Sequence, residues 1–219
     1  MALWPKIRAL KLERSSSPAA SPSAAKTGRT VGNKEPATPD TANLPPLPEG
    51  WTWVSVDQLA AETMIGLDHG RAQQSDDPAS GVPYLKLNNV TIDGRVMCDE
   101  MAFVPANNEE SERFSVKNRD IHFNTRNSKE LVGKVGIVRN APEGAIDNNH
   151  LMRIRVPSGI VPEFLCLQMC SHEFRRRKQL VKNVTTNVAA VYQQDLLPLA
   201  IAPPRQPSRR GSWRKWNGG

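Results

Sequence analysis

Long hydrophobic runs are missing from this 219-residue sequence. No stretch approaches the roughly 18 apolar residues needed to cross a bilayer. The opening Met-Ala-Leu-Trp-Pro-Lys lacks the apolar core of a signal peptide, so the expectation is a cytoplasmic protein with no membrane partner. Cysteine is scarce: Cys98, Cys166 and Cys170, an odd set, make no disulfide framework, which suits a reducing compartment. Aromatic residues reach only 5% and hydrophobic residues 38%, lean for a wholly compact chain, and the 18 prolines crowd towards the two ends. A core is therefore expected in the middle alone.

The constellations that carry catalysis are absent too. There is no Gly-x4-Gly-Lys-Ser/Thr phosphate loop, no Gly-x-Gly-x-x-Gly turn, no nucleophile elbow and no His-Glu-x-x-His pair. Nor is there an Asp/Glu-x-Lys pair of the metal-dependent nuclease kind, or the Asn-Pro-Pro-aromatic tetrad of adenine methyltransferases. A non-catalytic chain is expected. Cys166, Cys170 and His172, with Cys98, have the right chemistry for a metal. Cys166 and Cys170 fall on an apolar helical stripe, however, where free cysteine acts as a small hydrophobe, so no metal is expected. His69, His122 and His150 have no partner at a diagnostic spacing.

What is present begins with charge. The net +7 lies mostly in the ends: residues 1–50 hold seven Lys/Arg against four Asp/Glu, and residues 201–219 hold five against none. In the middle the signs separate. Residues 51–112 carry three basic and eleven acidic residues, and 113–182 carry fourteen basic and six acidic. The second half of the folded part is thus the candidate polyanion-facing surface.

Ile7 to Arg14 reads as the end of a helix, and residues 15–46 as a disordered Pro/Ser-rich linker that cannot bury enough apolar surface to order itself. The folded domain is placed at 47–204, opening at Leu47-Pro-Glu-Gly-Trp-Thr-Trp53. Ser55 and Gln58 stand at capping-box spacing and predict a helix from Ser55 to about Glu62, anchored by Trp51 or Trp53. Strands are predicted around 82–90, 120–123, 132–138 and 151–156. A helix follows from Pro162 to Arg175-Arg-Arg-Lys178, then a polar loop at 183–187, a helical turn at 193–196 and a last strand at 199–201. The fold class is α+β: one mixed domain of short strands and a few helices.

Several loops combine cations with amides, the side chains that grip phosphates and read base edges. They are Arg71 with Gln73 and Gln74, Lys86 with Asn88 and Asn89, the run Asn124-Thr-Arg126-Asn127-Ser-Lys129, and Asn148-Asn-His150. Arg153 and Arg155 alternate with Met152, Ile154 and Val156, so both project from one face of a strand whose other face packs inward. Arg175 to Lys178 complements the dipole at a helix end as readily as it binds phosphate.

The order of these segments resembles a known family. Leu47-Pro-Glu-Gly-Trp51-x-Trp53, the strand ending Lys86-Leu-Asn-Asn-Val90, and Phe123-Asn-Thr-Arg-Asn-Ser128-x-Glu-Leu-Val-Gly-Lys-Val-Gly136 are similar to the target-recognition domain of type I restriction–modification specificity subunits. So is the ending, with Gln194-Asp-Leu196 and Pro203-Pro204. The resemblance implies sequence-specific binding of double-stranded DNA, with no cofactor in this chain. Methyltransferase subunits would bring S-adenosylmethionine, and nuclease subunits recruited through them would bring ATP and Mg. It points to Lys86, Asn88, Asn89, Arg126, Asn127 and Lys134 first as DNA contacts, then to Arg71, Arg153, Arg155 and Asn187.

In such subunits two recognition domains are joined by two long helices. Here Ile7 to Arg14 would be a helix stump and the domain the second of the pair. After Pro204 the basic run to Trp216 has no helical period, and two readings stand: a frameshift near codon 204, or a short basic arm that binds phosphates. Pairing with another half-length subunit, a truncated remnant without function, and a stand-alone DNA-modifying enzyme are the alternatives the sequence leaves open.

Overall fold

A computed structural model describes residues 35–203. The helix stump, residues 15–34 of the expected linker and the basic tail lie outside the described residues. Strand β1 (Val54–Ser55) leads through helix α1 (Val56–Leu59) into β2 (Glu62–Ile65), β3 (Val82–Leu85) and β4 (Ala102–Val104). Helix α2 (Asn108–Arg113) precedes β5 (Ile121–Asn124), β6 (Arg126–Asn127), β7 (Val135–Ile137), β8 (Ile146–Asp147) and β9 (Leu151–Arg155). Helices α3 (Pro162–Cys170) and α4 (His172–Leu180), strands β10 (Asn183–Val184) and β11 (Ala189–Ala190), helix α5 (Gln193–Leu196) and strand β12 (Ala200–Ile201) complete the domain. The α+β expectation holds.

The capping box forms as its spacing predicts. Gln58 N–H donates to Ser55 Oγ at 3.0 Å, and Ser55 N–H donates to Gln58 Oε1 at 2.9 Å. The helix is shorter than expected, because Ala61 N–H donates to Arg155 O and draws the chain into β2. Ser55 Oγ also donates to Ala37 O at 2.6 Å, and Ala37 N–H donates to Asp57 Oδ2 at 2.9 Å. Part of the segment expected to be linker is therefore fastened to the domain.

The central sheet runs β2-β9-β5-β7, antiparallel throughout. Strand alternation gives it two faces. Ile121, Phe123, Val135, Ile137, Met152 and Ile154 form one, packed with Leu165, Met169 and Phe174 of α3 and α4 in the largest core cluster. The opposite face carries Glu62, Met64, His122, Asn124, Arg153 and Arg155. A second sheet, β4-β3-β8, in which β3 and β8 run parallel, covers part of it: Met64 packs with Tyr84, Val104, Phe114 and Ile146.

The long helix expected from Pro162 is two. Ser171, with φ −64° and ψ 154°, closes α3 and caps α4, its Oγ accepting the Phe174 N–H at 3.2 Å. The extended residue resets the helix direction, and Phe174 reaches the core, where it is 1% exposed. Strands β1 and β12 pair Val54 with Ile201 and Ser55 with Ala200, so the chain enters and leaves the domain side by side.

Candidate nucleic-acid interface

Strand register decides where the expected contact residues go. Ile65 faces Met152, Asn124 faces Leu151 and Phe123 faces Val135, so β2 and β5 end where β9 and β7 begin. Leu85 lies beside Asp147, and Asn148 N–H donates to Leu85 O, which brings the ends of β3 and β8 to the same edge. Loops 66–76, 86–89, 125–134 and 148–150 consequently leave one edge of the two sheets. Strand β6 pairs with β11, which pairs with β10, adding the tip of that hairpin, residues 185–188. Of the ten residues expected to contact DNA, eight fall in these loops.

Their states differ. Arg71, Asn88, Arg126 and Asn187 are exposed. Lys86 is half-buried and donates to Gln74 Oε1 at 3.2 Å. Lys134 is half-buried and donates to Leu87 O at 3.1 Å, and burial pulls its pKa below the usual lysine value. Asn127 accepts the Ser128 N–H at 2.8 Å. Asn89 is 4% exposed and ties its loop: its Oδ1 accepts from Lys86 N–H, and its Nδ2 donates to Met97 O and Glu100 O. Such an amide is spent on the turn.

A tyrosine hub braces this edge from beneath. Tyr84 OH donates to Leu67 O at 2.7 Å and accepts the His69 N–H at 3.1 Å and Asn148 Nδ2 at 2.6 Å. His150 lies near Arg126; burial first, then that guanidinium, holds its imidazole pKa below the ordinary value. Buried side-chain atoms of His69, Asn127 and Asn149 in these loops, and of His122, Asn124 and Arg153 on the sheet face beneath them, have no hydrogen-bond partner among the described residues. Orphaned polar atoms of this kind ask for a functional account when they gather in one place.

Arg153 and Arg155 correct the sequence reading. They share a face, as alternation requires, but the face is interior. Arg153 is 1% exposed and donates to Asp147 Oδ2 at 2.7 Å, to Phe114 O and Ser115 O at 2.9 Å, and to Glu62 Oε1 at 3.1 Å. Arg155 grips Asp120 at 2.7 and 2.8 Å, donates to Ser115 O at 2.7 Å and reaches Glu62 at 3.3 Å. Asp147 also holds His122 Nε2, and neither side chain is exposed. Burial works against the charge of Glu62, but Arg155 and Arg153 together keep its carboxyl below the ordinary range. These groups form a closed network with no cation left over for a phosphate.

Other cations of the basic second half are also engaged internally: Arg119 pairs with Glu163, and Arg176 and Arg177 with Glu173. Cys166 is buried and Cys170 half-buried against Gly94 and Val135, as the apolar stripe predicted. No group of three or more His, Cys, Asp or Glu able to hold a metal exists among the described residues. No helix among them is long and apolar enough to cross a membrane.

No family model and no curated protein matches the chain. Solved structures do. A chain from a structure of complex assembly and conformational transition in the type I R-M system superposes with a TM-score of 0.54 at 16% identity, covering 75% of this chain and 37% of that one. The HsdS subunit from Thermoanaerobacter tengcongensis superposes with a TM-score of 0.53 at 16% identity, covering 74% of this chain and 35% of that subunit. The domain has the HsdS fold. This chain spans little more than a third of the length of either protein.

The sequence reading weighed Lys178, within the Arg175 to Lys178 run, as a phosphate binder or a partner of the helix dipole, and passed over Lys182; the structure turns both towards loop carbonyls. Lys178 Nζ donates to Val132 O at 2.8 Å, and Lys182 Nζ donates to Lys129 O at 3.0 Å. Lys182 gave no signal beyond its place just past a helix end, where a lone charge reads as solvated surface.

Proposed function

We propose that this domain binds double-stranded DNA in a sequence-specific manner and supplies target specificity to a type I restriction–modification complex, whose partner subunits carry out methylation and cleavage. One observation carries the reading: the cation- and amide-bearing loops, far apart in sequence, converge on one edge of an HsdS-like fold. Exposed Arg126, Arg71, Asn88 and Asn187 supply the forks and amides that read base edges, and half-buried Lys86, Asn127 and Lys134 shape the loops that present them.

Phosphates would be met by cations at the rim of this edge, with Lys129 close in sequence to Arg126. The chain makes no bonds of its own in this scheme. Methyltransferase subunits would supply S-adenosylmethionine chemistry and nuclease subunits ATP-driven cleavage. The paired β1 and β12 bring both domain termini together, which suits a domain set between connecting helices.

The test is enrichment of duplexes from a randomised pool on the full chain, followed by titration of the enriched and the unselected duplexes. A sequence preference of at least about a thousandfold at fixed salt is expected. Equal affinity for both pools, or no binding, overturns the reading.

A further inference from the structure

Three lysines at the candidate edge are tied to backbone. Lys134, Lys182 and Lys178 all donate to backbone carbonyls of neighbouring loops, and Lys178 is the most committed of the three. It rises from α4, is 6% exposed, and donates to Val132 O at 2.8 Å and Gly133 O at 3.4 Å. The turn presses against its stem: a Cβ at Gly133, where φ is +77°, would collide with Lys178 Cδ. No carboxylate lies within ion-pair distance of this ammonium among the described residues.

The same turn, 128–134, continues directly from Arg126 and Asn127 and ends at Lys134. Its backbone bonds are local or made to the end of β5: Leu131 N–H and Val132 N–H donate to Ser128 O, Lys134 N–H donates to Leu131 O, Gly133 N–H donates to Asn124 O, and Asn124 N–H donates to Lys134 O. Three ties hold this turn to the helix behind it: the Val132 side chain in the main core, Lys182 Nζ on Lys129 O, and the buried ammonium of Lys178, which alone engages two of its carbonyls.

Burying this ammonium has an electrostatic cost. Burial, then repulsion from Arg175 and Lys182, pushes the Lys178 pKa down to about 8, with Cys170 opposing. A native state that depresses a lysine pKa binds its proton more weakly than the unfolded chain does, so the charge weakens folding at neutral pH. A charge buried at a cost yet bonded to two carbonyls of one turn is best understood through that turn.

We propose that Lys178 is a positioning residue for DNA reading: its buried ammonium holds the 128–134 turn, and through it Arg126, Asn127 and Lys134, in the arrangement that meets the duplex. This rests on the DNA-binding reading above. A phosphate contact is a different role, and burial of Nζ against two carbonyls stands against it.

The first arm uses no DNA. In the full chain, Lys178→Met should speed amide exchange at Leu131 to Lys134 by about tenfold, the scale of one charge-assisted hydrogen bond, while β5 and β9 stay protected. Unchanged exchange in the turn overturns the proposal. In the second arm, the duplex enriched by the wild type should bind K178M about tenfold more weakly. Affinity for an unselected mixed-sequence duplex and the salt slope should not move. A slope reduced by about one would mark a lost phosphate contact and sink the positioning role.

The third arm is pH. Between about pH 8 and the ordinary lysine value of about 10.4 the unfolded chain holds the proton and the folded chain does not, so wild-type stability should rise with pH relative to K178M. Arg175, Lys182, Lys129, Glu130, Lys134 and Cys170 surround the site in both proteins, so the difference isolates Lys178; an identical rise in both overturns the assignment. Should K178M not fold, Gly133→Ala displaces the turn from the other side and should reproduce the exchange and binding pattern. If the wild type enriches no duplex, the DNA reading fails, while the exchange and pH arms still decide whether Lys178 holds the turn.

Discussion

The inner face of the central sheet and the loop edge above it are built from the same residue types, with opposite fates. On the face, Arg153 and Arg155 are enclosed by Asp147, Glu62, Asp120 and three backbone carbonyls. At the edge, Arg71 and Arg126 are exposed, and neither forms an ion pair among the described residues. A guanidinium with most of its donors committed indoors, as in Arg153, where Nε alone lacks a partner, stiffens a fold; one left in water on a braced loop is available to a ligand. The lesson is that counting arginines in a basic segment does not locate a binding surface. Counting their committed donors does.

The contrast can be broken most sharply at Arg153. Arg153→Ala leaves Asp147 buried without its guanidinium and should destabilise the domain by about 3–5 kcal/mol, read by urea unfolding. A loss under about 1 kcal/mol would mean that the network is solvated and the contrast false. Arg126→Ala should do the reverse. Stability should stay within about 0.5 kcal/mol, while affinity for the enriched duplex drops by about 1–3 kcal/mol if the fork grips a guanine. Unchanged titration curves would remove Arg126 from the interface.

Acid provides a gentler probe of the inner face. The folded state holds Glu62 below the ordinary carboxyl value, so its contribution is present above the unfolded pKa and is lost as pH falls through the lower folded one. Wild-type stability should therefore drop more steeply than that of Glu62→Gln below about pH 4.5; parallel curves would show that Arg153 and Arg155 do not depend on it. The smallest effect is expected at Arg71. Its replacement by Ala should lower affinity for all duplexes alike and reduce the salt slope by about one if it meets a phosphate, and a selective loss for the enriched duplex would make it a base reader instead.

Much of the fold was legible locally. The Ser55–Gln58 box and the helix starting at Pro162 follow from caps and periodicity, and strands form within or beside those expected at 82–90, 120–123, 132–138 and 151–156, though the first stops at Leu85, where Asn89 turns the chain. Several short elements were missed, among them the helix at 108–113 and the strands at 62–65, 102–104 and 146–147, and two of them show why. Glu62 to Ile65 reads as the tail of a helix until Arg155 is there to pair with it, and Ala102 to Val104 is too short to show a period. The break at Ser171 was hidden because the apolar stripe continues across it. Of the candidate site, the loop residues were visible as cations and amides in polar surroundings, whereas Asn89, Tyr84 and Lys178 took on their bracing roles only through partners between 3 and 64 residues away.

Composition, periodicity and capping thus determined by themselves the α+β class of the described residues, and which loops carry cations and amides. Strand alternation also determined that Arg153 and Arg155 share a side. Which side faces water depends on what packs there, and that was decided only when β3 and β8 brought Tyr84 and Asp147 over the sheet, because burial is set by neighbours distant in sequence. The same holds for the edge: antiparallel and parallel pairing, both non-local, gathered four separate loops and a hairpin tip into one surface.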